Sequence, residues 1–513
     1  MSTNSILSLN DLATVAEVLR SEGRRVVLCH GMFDLIHLGH VRHLQRAREE
    51  GDVLMVTVTA DGYSRKGPGR PVFTDVLRAE ALAALECVDY VSINNADSAE
   101  GVIEKLKPDV YAKGSDYRDA KDDLSGKIVV EKRAVEACGG RIHFTDEITF
   151  SSSQILNRHF GIFPEVTDQY LRQCRADSEF EDISHELEKI AEAKVLIIGE
   201  MIVDRYTFVL PMGKSAKSAA ISVQHQRTED HAGGALAVAN HAASFVDQVA
   251  LVTGLGGRGA QGLDGEAFLR SHLRENIAPH LFRFSEAQTI IKERFVDSDT
   301  MAKLFEMYYF EPSPQATEAE EIDVCRWLEH NLRKFDAVIV PDYGNGMITP
   351  RMIEMICAHS PFLAVNAQLN SGNRGYHVIT RYPKADFICM NEPELWLASH
   401  NRHDPTDLLA REIMTKLGAD CIAVTQGVKG LLTIHKDLEA THHVPALSSK
   451  VVDRVGAGDA FLCIAAICLA SGLSPKLAAF VGAAAAALEV QIVGNQRSVE
   501  RTSLLQYISA LLK

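Results

Sequence analysis

Short apolar runs without polar alternation punctuate the chain at residues 25–29, 53–59 and 90–93, and again at 194–199, 337–341, 362–365, 387–390 and 421–425. Such runs suit strands buried on both faces of a parallel sheet. The segments between them carry apolar residues at helical spacing, as in 73–87. Strand and helix patterns in alternation predict helix-covered parallel sheets, and the break between the two sets predicts two of them. Residues 1–23 predict a leading helix with Ser8 or Asn10 as its cap. Residues 219–226 and 288–295 predict exposed strands. Between 161 and 194 the periodicity weakens and nine acids face four bases. This stretch reads as a connector with a helix over about 183–193. The division is therefore 1–160, an acidic linker at 161–190, and 191–513.

Composition narrows the class. A net charge of −15 argues against non-specific nucleic-acid binding, so any phosphate affinity must come from local basic loops. The ten cysteines are scattered with no C-x-x-C and no zinc spacing, as for reduced structural thiols. The first residues lack a basic segment followed by an apolar one, and the apolar runs at 460–470 and 477–488 are too short to span a bilayer. The expectation is a cytoplasmic enzyme with no membrane partner.

Residues 453–461 read Asp-Arg-Val-Gly-Ala-Gly-Asp-Ala-Phe and run into an apolar helix. Gly456, Ala457 and Gly458 form a small-residue turn whose N–H groups, with the helix N-terminus, make an anion hole. Asp459 is placed to take a proton from an attacking hydroxyl, so the pair suits phosphoryl transfer to an alcohol. A plain Gly-containing turn is the alternative. The stretch resembles the signature of ribokinase-type sugar kinases, and other residues extend the likeness. The resemblance implies that Asp204, Gly233 and Gly234 bind the sugar. It places Asn391 and Glu394 (Asn-Glu-Pro-Glu) in the nucleotide and Mg²⁺ region, with Thr425 and Gly427 on the nucleotide side. It also implies a small β lid and a lid-mediated homodimer. Taken singly, Gly233–Gly234 reads equally as a turn and Asn391 as a helix cap.

A second chemistry lies near the start. After the strand at 25–29 comes His30-Gly-Met-Phe-Asp-Leu-Ile-His-Leu-Gly-His40. His37 and His40 share a helix face, and Gly39 between them lets a phosphate approach the backbone. Two imidazoles at a helix N-terminus can stabilise a leaving pyrophosphate. A metal pair is the rival reading, but no third ligand has zinc-type spacing. The element resembles the His-x-Gly-His nucleotidylyltransferases, over about residues 24–160. That resemblance makes His37 and His40 catalytic. It implies nucleotide binding by Met32, Phe33, Gly39, Lys113, Ser151, Ser152 and Ser153. It implies a substrate and phosphate loop with Lys66, Arg70 and Arg78. Helix capping by the serines and a solvated charged loop are the bland alternatives.

Together the halves form an α/β protein: an N-terminal Rossmann-like nucleotidylyltransferase and a C-terminal ribokinase-like domain. The combination resembles the bifunctional heptose-phosphate kinase and ADP-heptose synthase family, with its usual kinase-first order reversed. This implies a sugar phosphate and a nucleoside triphosphate as substrates. ATP is expected, with CTP possible for the transferase, and Mg²⁺ is held through phosphates rather than a dedicated protein cage. Departures fall on the sugar side. Ala237 stands where that family's Asn is expected, Arg454 replaces a Thr, and Asn366, Gln368, Asn370 and Asn373 replace an Asp-Pro-Lys stretch. These amides read either as a reader of a different sugar or as a surface loop. Two other functions stay open. One is a cytidylyltransferase for a polyol phosphate or phosphonate fused to a kinase of separate or lost activity. The other is a scaffold in which one module only binds nucleotide.

Overall fold

The computed structural model describes residues 5–63, 70–114, 127–145, 163–177, 180–258, 261–310, 316–373, 375–438, 440–448 and 450–513. Two compact units divide the chain: residues 1–171 with 505–513, and residues 172–504.

In the first unit, five strands pair in parallel: β1 (Val26–Gly31), β2 (Val53–Thr59), β3 (Tyr90–Asn94), β4 (Val110–Gly114) and β5 (Arg141–Thr145). Their order is β3-β2-β1-β4-β5. One face packs Val26, Leu28 and Tyr111 against the helices Leu9–Ser21 and Glu100–Leu106. The other packs Val27, Cys29 and Ala112 against Leu44 and Ala47 of the helix Leu38–Glu49. Strands buried on both faces explain the unbroken apolar runs. Ser8 caps the leading helix, accepting from Asp11 N. The order reverses between β1 and β4, and the crevice at the carboxyl ends of such strands is where ligands bind in open α/β sheets. The helix expected over 73–87 is shorter, Asp75–Ala83.

The connector holds two helices, Glu165–Asp177 and Phe180–Lys189, and a short 3-10 turn. The first was not foreseen, because it buries only Thr167 and Leu171 and leaves little apolar signal.

The second unit has a nine-stranded sheet. Its strands are β6 (Lys194–Ile198), β9 (Gln248–Arg258), β10 (Ile277–Gln288), β13 (Ala337–Asp342), β14 (Leu363–Ala367), β15 (Phe387–Asn391), β16 (Cys421–Thr425), β17 (Leu431–His435) and β18 (His442–Val444). The order is β10-β9-β6-β13-β14-β15-β16-β17-β18. Pairing is parallel up to β16, but β17 and β18 are antiparallel, which corrects the expectation of a wholly parallel sheet. Here the switch point lies between β6 and β13.

A lid sheet has the order β12-β11-β7-β8, built from β7 (Met201–Lys214), β8 (Ile221–Gly234), β11 (Ile290–Asp297) and β12 (Lys303–Tyr309). The two segments expected as exposed strands fall in β8 and β11. The first part of β8 is largely exposed, whereas β11 mixes buried and half-buried positions with none exposed, because it lies between β7 and β12. Among the described residues, no helix is long and apolar enough to cross a membrane.

Candidate active sites

In the first unit, β1 ends at Gly31 and the chain reaches the helix Leu38–Glu49 through a strained loop. Phe33 and Leu35 hold left-handed backbones at φ 49° and 48°, which costs energy in non-glycine residues. His37 is the N-cap. Its Nδ1 accepts from Gly39 N at 3.1 Å, and His40 Nδ1 lies 3.5 Å from His37 N. With each Nδ1 turned inward as an acceptor, the proton sits on Nε2. The rings stack at 4.0 Å, Phe33 meets His40 edge-on at 5.6 Å, and burial lowers the proton affinity of His37. His37 Nε2 is buried without a hydrogen-bond partner among the described residues. His37 therefore presents a neutral N–H donor at a helix N-terminus, a setting for phosphate oxygens.

The other predicted residues of this unit behave differently. Arg78 is a correction. It is 1% exposed, and its guanidinium donates to Met32 O, Thr59 O, Phe73 O and Asp61 Oδ1. The fifth N–H points at Met32 Sδ at 3.2 Å, so no donor remains for a phosphate and Arg78 ties the loop after β1 to β2 instead. The Met32 carbonyl is one of its partners. Lys113 is the penultimate residue of β4, projects on the face shared with Tyr111, and pairs with buried Glu131 at 2.9 Å. Arg70 is partly buried near Asp34, whose carboxylate accepts from Val72 N at 2.8 Å and Phe73 N at 3.2 Å. Lys66, Ser151, Ser152 and Ser153 lie outside the described residues. Sequence reasoning missed Asp34 and His43. The latter bonds Thr145 Oγ1 at 2.7 Å, and burial pushes it down to about 4. Its position three residues after His40 was the available signal.

In the second unit, the helix Ala457–Ala470 starts at Gly456, whose φ of 85° suits glycine. A Cβ there would meet Asn495 Oδ1 at 2.2 Å, whereas one at Gly458 would meet open space. The Ala457 and Gly458 amides belong to the first helical turn, where N–H groups lack intrahelical partners. Asp459 is 8% exposed and accepts from Gln368 Nε2 at 2.7 Å. Burial pushes its carboxyl up to about 7, against the pull of Tyr343, Lys292 and Gln368 and with the repulsion of Asp204. A carboxylate of that affinity is tuned for general-base work near neutrality.

Around this turn the predicted residues converge. Asp204 Oδ1 accepts from Arg294 at 2.5 Å and Oδ2 from Asn495 at 3.1 Å. Asn495 thus lies against both Asp204 and Gly456. The reason for Gly233 is close approach: a Cβ would lie 2.3 Å from Asp204 Oδ2, while one at Gly234 would lie 2.4 Å from Glu200 O. A side chain at either glycine would therefore collide with the protein itself. Asn391 and Glu394 form a capping box on the helix Glu392–Ser399. Glu394 Oε1 accepts from Leu369 N at 2.9 Å, so the box anchors the loop that carries Gln368. Asn366, Asn370 and Asn373 spend their amide N–H donors on Cys389 O, Tyr343 O and Gln368 O. They shape the loop behind Asp459 and are not a free surface loop. Thr425 ends β16, and Gly427, at φ 60°, begins the 3-10 turn beyond it. Asp453 braces the turn, accepting from Tyr206 OH at 2.9 Å, Lys303 Nζ at 2.6 Å, Gly494 N at 3.1 Å and Val455 N at 3.1 Å. Asn495 and Arg294 had no sequence signal of their own, since each acts through distant partners.

Among the described residues, no group of three or more His, Cys, Asp or Glu side chains is placed to hold a metal.

A doubly wound sheet with a β lid and a Gly-Ala-Gly-Asp turn at the switch point defines a carbohydrate-kinase domain. The chain belongs to the pfkB family of carbohydrate kinases, whose model matches residues 192–502; residues 28–158 match the cytidylyltransferase-like family. It is an enzyme with a kinase domain and a nucleotidyltransferase domain. Over the N-terminal third, it is 41% identical across 161 residues to the bifunctional protein HldE of Syntrophotalea carbinolica, covering 31% of this chain and 30% of that protein. The corresponding protein of Geobacter metallireducens is 41% identical across 166 residues, covering 31% and 32%. The matches thus span about a third of these relatives' length. Phosphofructokinase-2 from Escherichia coli in complex with fructose-6-phosphate superposes with a TM-score of 0.50 at 14% identity, covering 63% of this chain and 100% of that one. That likeness is one of fold.

Proposed function

We propose that the chain is a bifunctional enzyme of nucleotide-sugar biosynthesis. Its kinase phosphorylates a sugar or sugar phosphate at the anomeric hydroxyl. Its transferase joins the nucleoside monophosphate of ATP to the sugar 1-phosphate, giving an ADP-heptose-like product. The observation that carries this reading is Asp459, a buried carboxylate of raised proton affinity in the helical turn that follows open Gly458. In the first step Asp459 accepts the hydroxyl proton as the sugar oxygen bonds to the γ-phosphorus. ADP leaves with the electron pair of the broken P–O bond. In the second, a phosphate oxygen of the sugar 1-phosphate attacks the α-phosphorus. Pyrophosphate leaves, its charge met by the Nε2–H groups of His37 and His40. Mg²⁺, when bound with the nucleotide, would supply positive charge to its phosphates in both. Glu394 supports it indirectly, by holding Leu369 and Asn391.

The second reading, a cytidylyltransferase for a polyol phosphate or phosphonate beside a kinase of separate or lost activity, gains from one observation. Both oxygens of Asp204 are already engaged by Arg294 and Asn495. A homodimer through the lid is supported by exposed Leu304, Phe305 and Met307 on β12. A cytoplasmic location accords with ten free thiols.

The test is a screen of purified protein with ATP or CTP, with and without Mg²⁺, against sugars, sugar phosphates and polyol phosphates, resolving both products. Sugar 1-phosphate and ADP-sugar, each requiring Mg²⁺, are expected. A cytidylyl product with no kinase product would select the second reading.

A further inference from the structure

The lid brings several cations to the kinase site, and among the described residues all but one are matched. Arg294 pairs with Asp204 and Glu306, and Lys303 with Asp453. Lys292 is the exception. On β11 it stands in register with Asp204 of β7 on one side and Tyr308 of β12 on the other. Its ammonium lies 5.7 Å from the ring centroids of Tyr308 and of Tyr343, within cation–π range of each. It makes no hydrogen bond or ion pair with any described residue. The nearby carboxylates are occupied: Asp204 by Arg294 and Asn495, and Asp459 by Gln368. Burial lowers the proton affinity of Lys292, while the charges of Asp204, Asp459 and Glu200 raise it, so the group lies within electrostatic reach of the proposed base. Lys292 is half-buried, so its ammonium holds a fixed position beside two rings and stays within reach of a ligand's oxygens.

We propose that Lys292 binds phosphoryl oxygens in the kinase site, as the lid's contribution to an anionic reactant. The inference deepens the kinase reading above and rests on it. The oxygens have two possible sources: a phosphate already on the acceptor sugar, or the γ-phosphoryl group during transfer. In either case the ammonium stays protonated and supplies charge, while the hydroxyl proton goes to Asp459.

Lys292→Met keeps the length and removes the charge, and Lys292→Arg restores it. Kinase kcat and KM are measured with phosphorylated sugars and their unphosphorylated counterparts, and inorganic phosphate binding is followed by calorimetry. Retained near-UV circular dichroism and Tm establish folding. If the acceptor's phosphate is the ligand, Lys292→Met raises KM for phosphorylated sugars by roughly 10-fold or more and leaves unphosphorylated ones alone. If the group in transfer is the ligand, kcat falls by about 10²-fold for every acceptor with KM little changed. Partial rescue by Lys292→Arg accompanies either result. Kinetic constants within two-fold (about 0.4 kcal/mol) of the parent for all acceptors, with phosphate binding unaltered, would overturn the proposal. Should the parent phosphorylate no acceptor, the kinase reading fails separately. Phosphate binding then decides: loss in Lys292→Met supports the assignment, and equal binding refutes it.

Discussion

Asp459 and Gln368 carry the chemistry at the scale of single residues. Burial sets the Asp459 carboxyl near 7, and the Gln368 amide opposes the rise by donating to the ionised form. A base must be unprotonated to work, so the kinase rate should climb as pH rises through about 7. Gln368→Met removes the donor and should move that limb to higher pH, with little change on the plateau. Asp459→Asn should cost about 10²–10⁴-fold at every pH. The check is a kcat/KM profile from pH 5.5 to about 9 for the three proteins. An unmoved limb in Gln368→Met would mean that the titrating group is not Asp459.

Elements show where sequence reading works and where it stops. The interior strands were legible, since β2, β6, β13 and β15 are nearly continuous apolar runs with their sites at the carboxyl ends. So were the Gly-Ala-Gly-Asp turn and the His-x-Gly-His helix start, because local spacing sets their geometry. The lid was legible only in part. β7 and β8 run for fourteen residues each, partly in solvent, and no apolar run marks their length. Arg78 shows the opposite failure: a basic residue near a glycine-rich loop looks phosphate-facing until its carbonyl partners are known. The helix Pro475–Glu489 ends in another such surprise. Glu489 is fully buried, neither oxygen has a hydrogen-bond partner among the described residues, and burial pushes its carboxyl up to about 8. A raised carboxyl favours folding most below its unfolded value, and the advantage is lost as pH climbs to the folded value. Glu489→Gln mimics the neutral form. Its Tm should match the parent near pH 4.5 and exceed it by an increasing margin, on the order of several degrees, toward pH 8. Scanning calorimetry at the two pH values is the measurement, and an equal Tm at both would contradict the burial argument.

For the whole molecule, the proposal requires two centres joined by a diffusible sugar 1-phosphate. His40→Ala should lose nucleotidyl transfer by about 10²-fold or more and keep the kinase, and Asp459→Asn the reverse. Neither variant alone should convert sugar and ATP to sugar nucleotide at an appreciable rate. Mixed in equal amounts, they should restore roughly half the parent flux per chain at saturating substrate, because each supplies the centre the other lacks. Failure of the mixture, with each single activity intact, would show that the intermediate does not pass through solution.

The contact between Gly233 and Asp204 has a historical consequence. A methyl group at 233 would collide with the Asp204 carboxylate, so the two positions cannot drift independently. A lineage that changed the glycine first would distort an ion pair and lose stability. One that shortened the acid first would open the room that a larger neighbour needs. Gly233→Ala should therefore cost about 2 kcal/mol or more alone, and distinctly less in an Asp204→Ala background. A double-mutant cycle by urea denaturation reads that difference, and strict additivity would refute it. Divergence at this corner of the kinase domain is then ordered: the carboxylate departs before the glycine does.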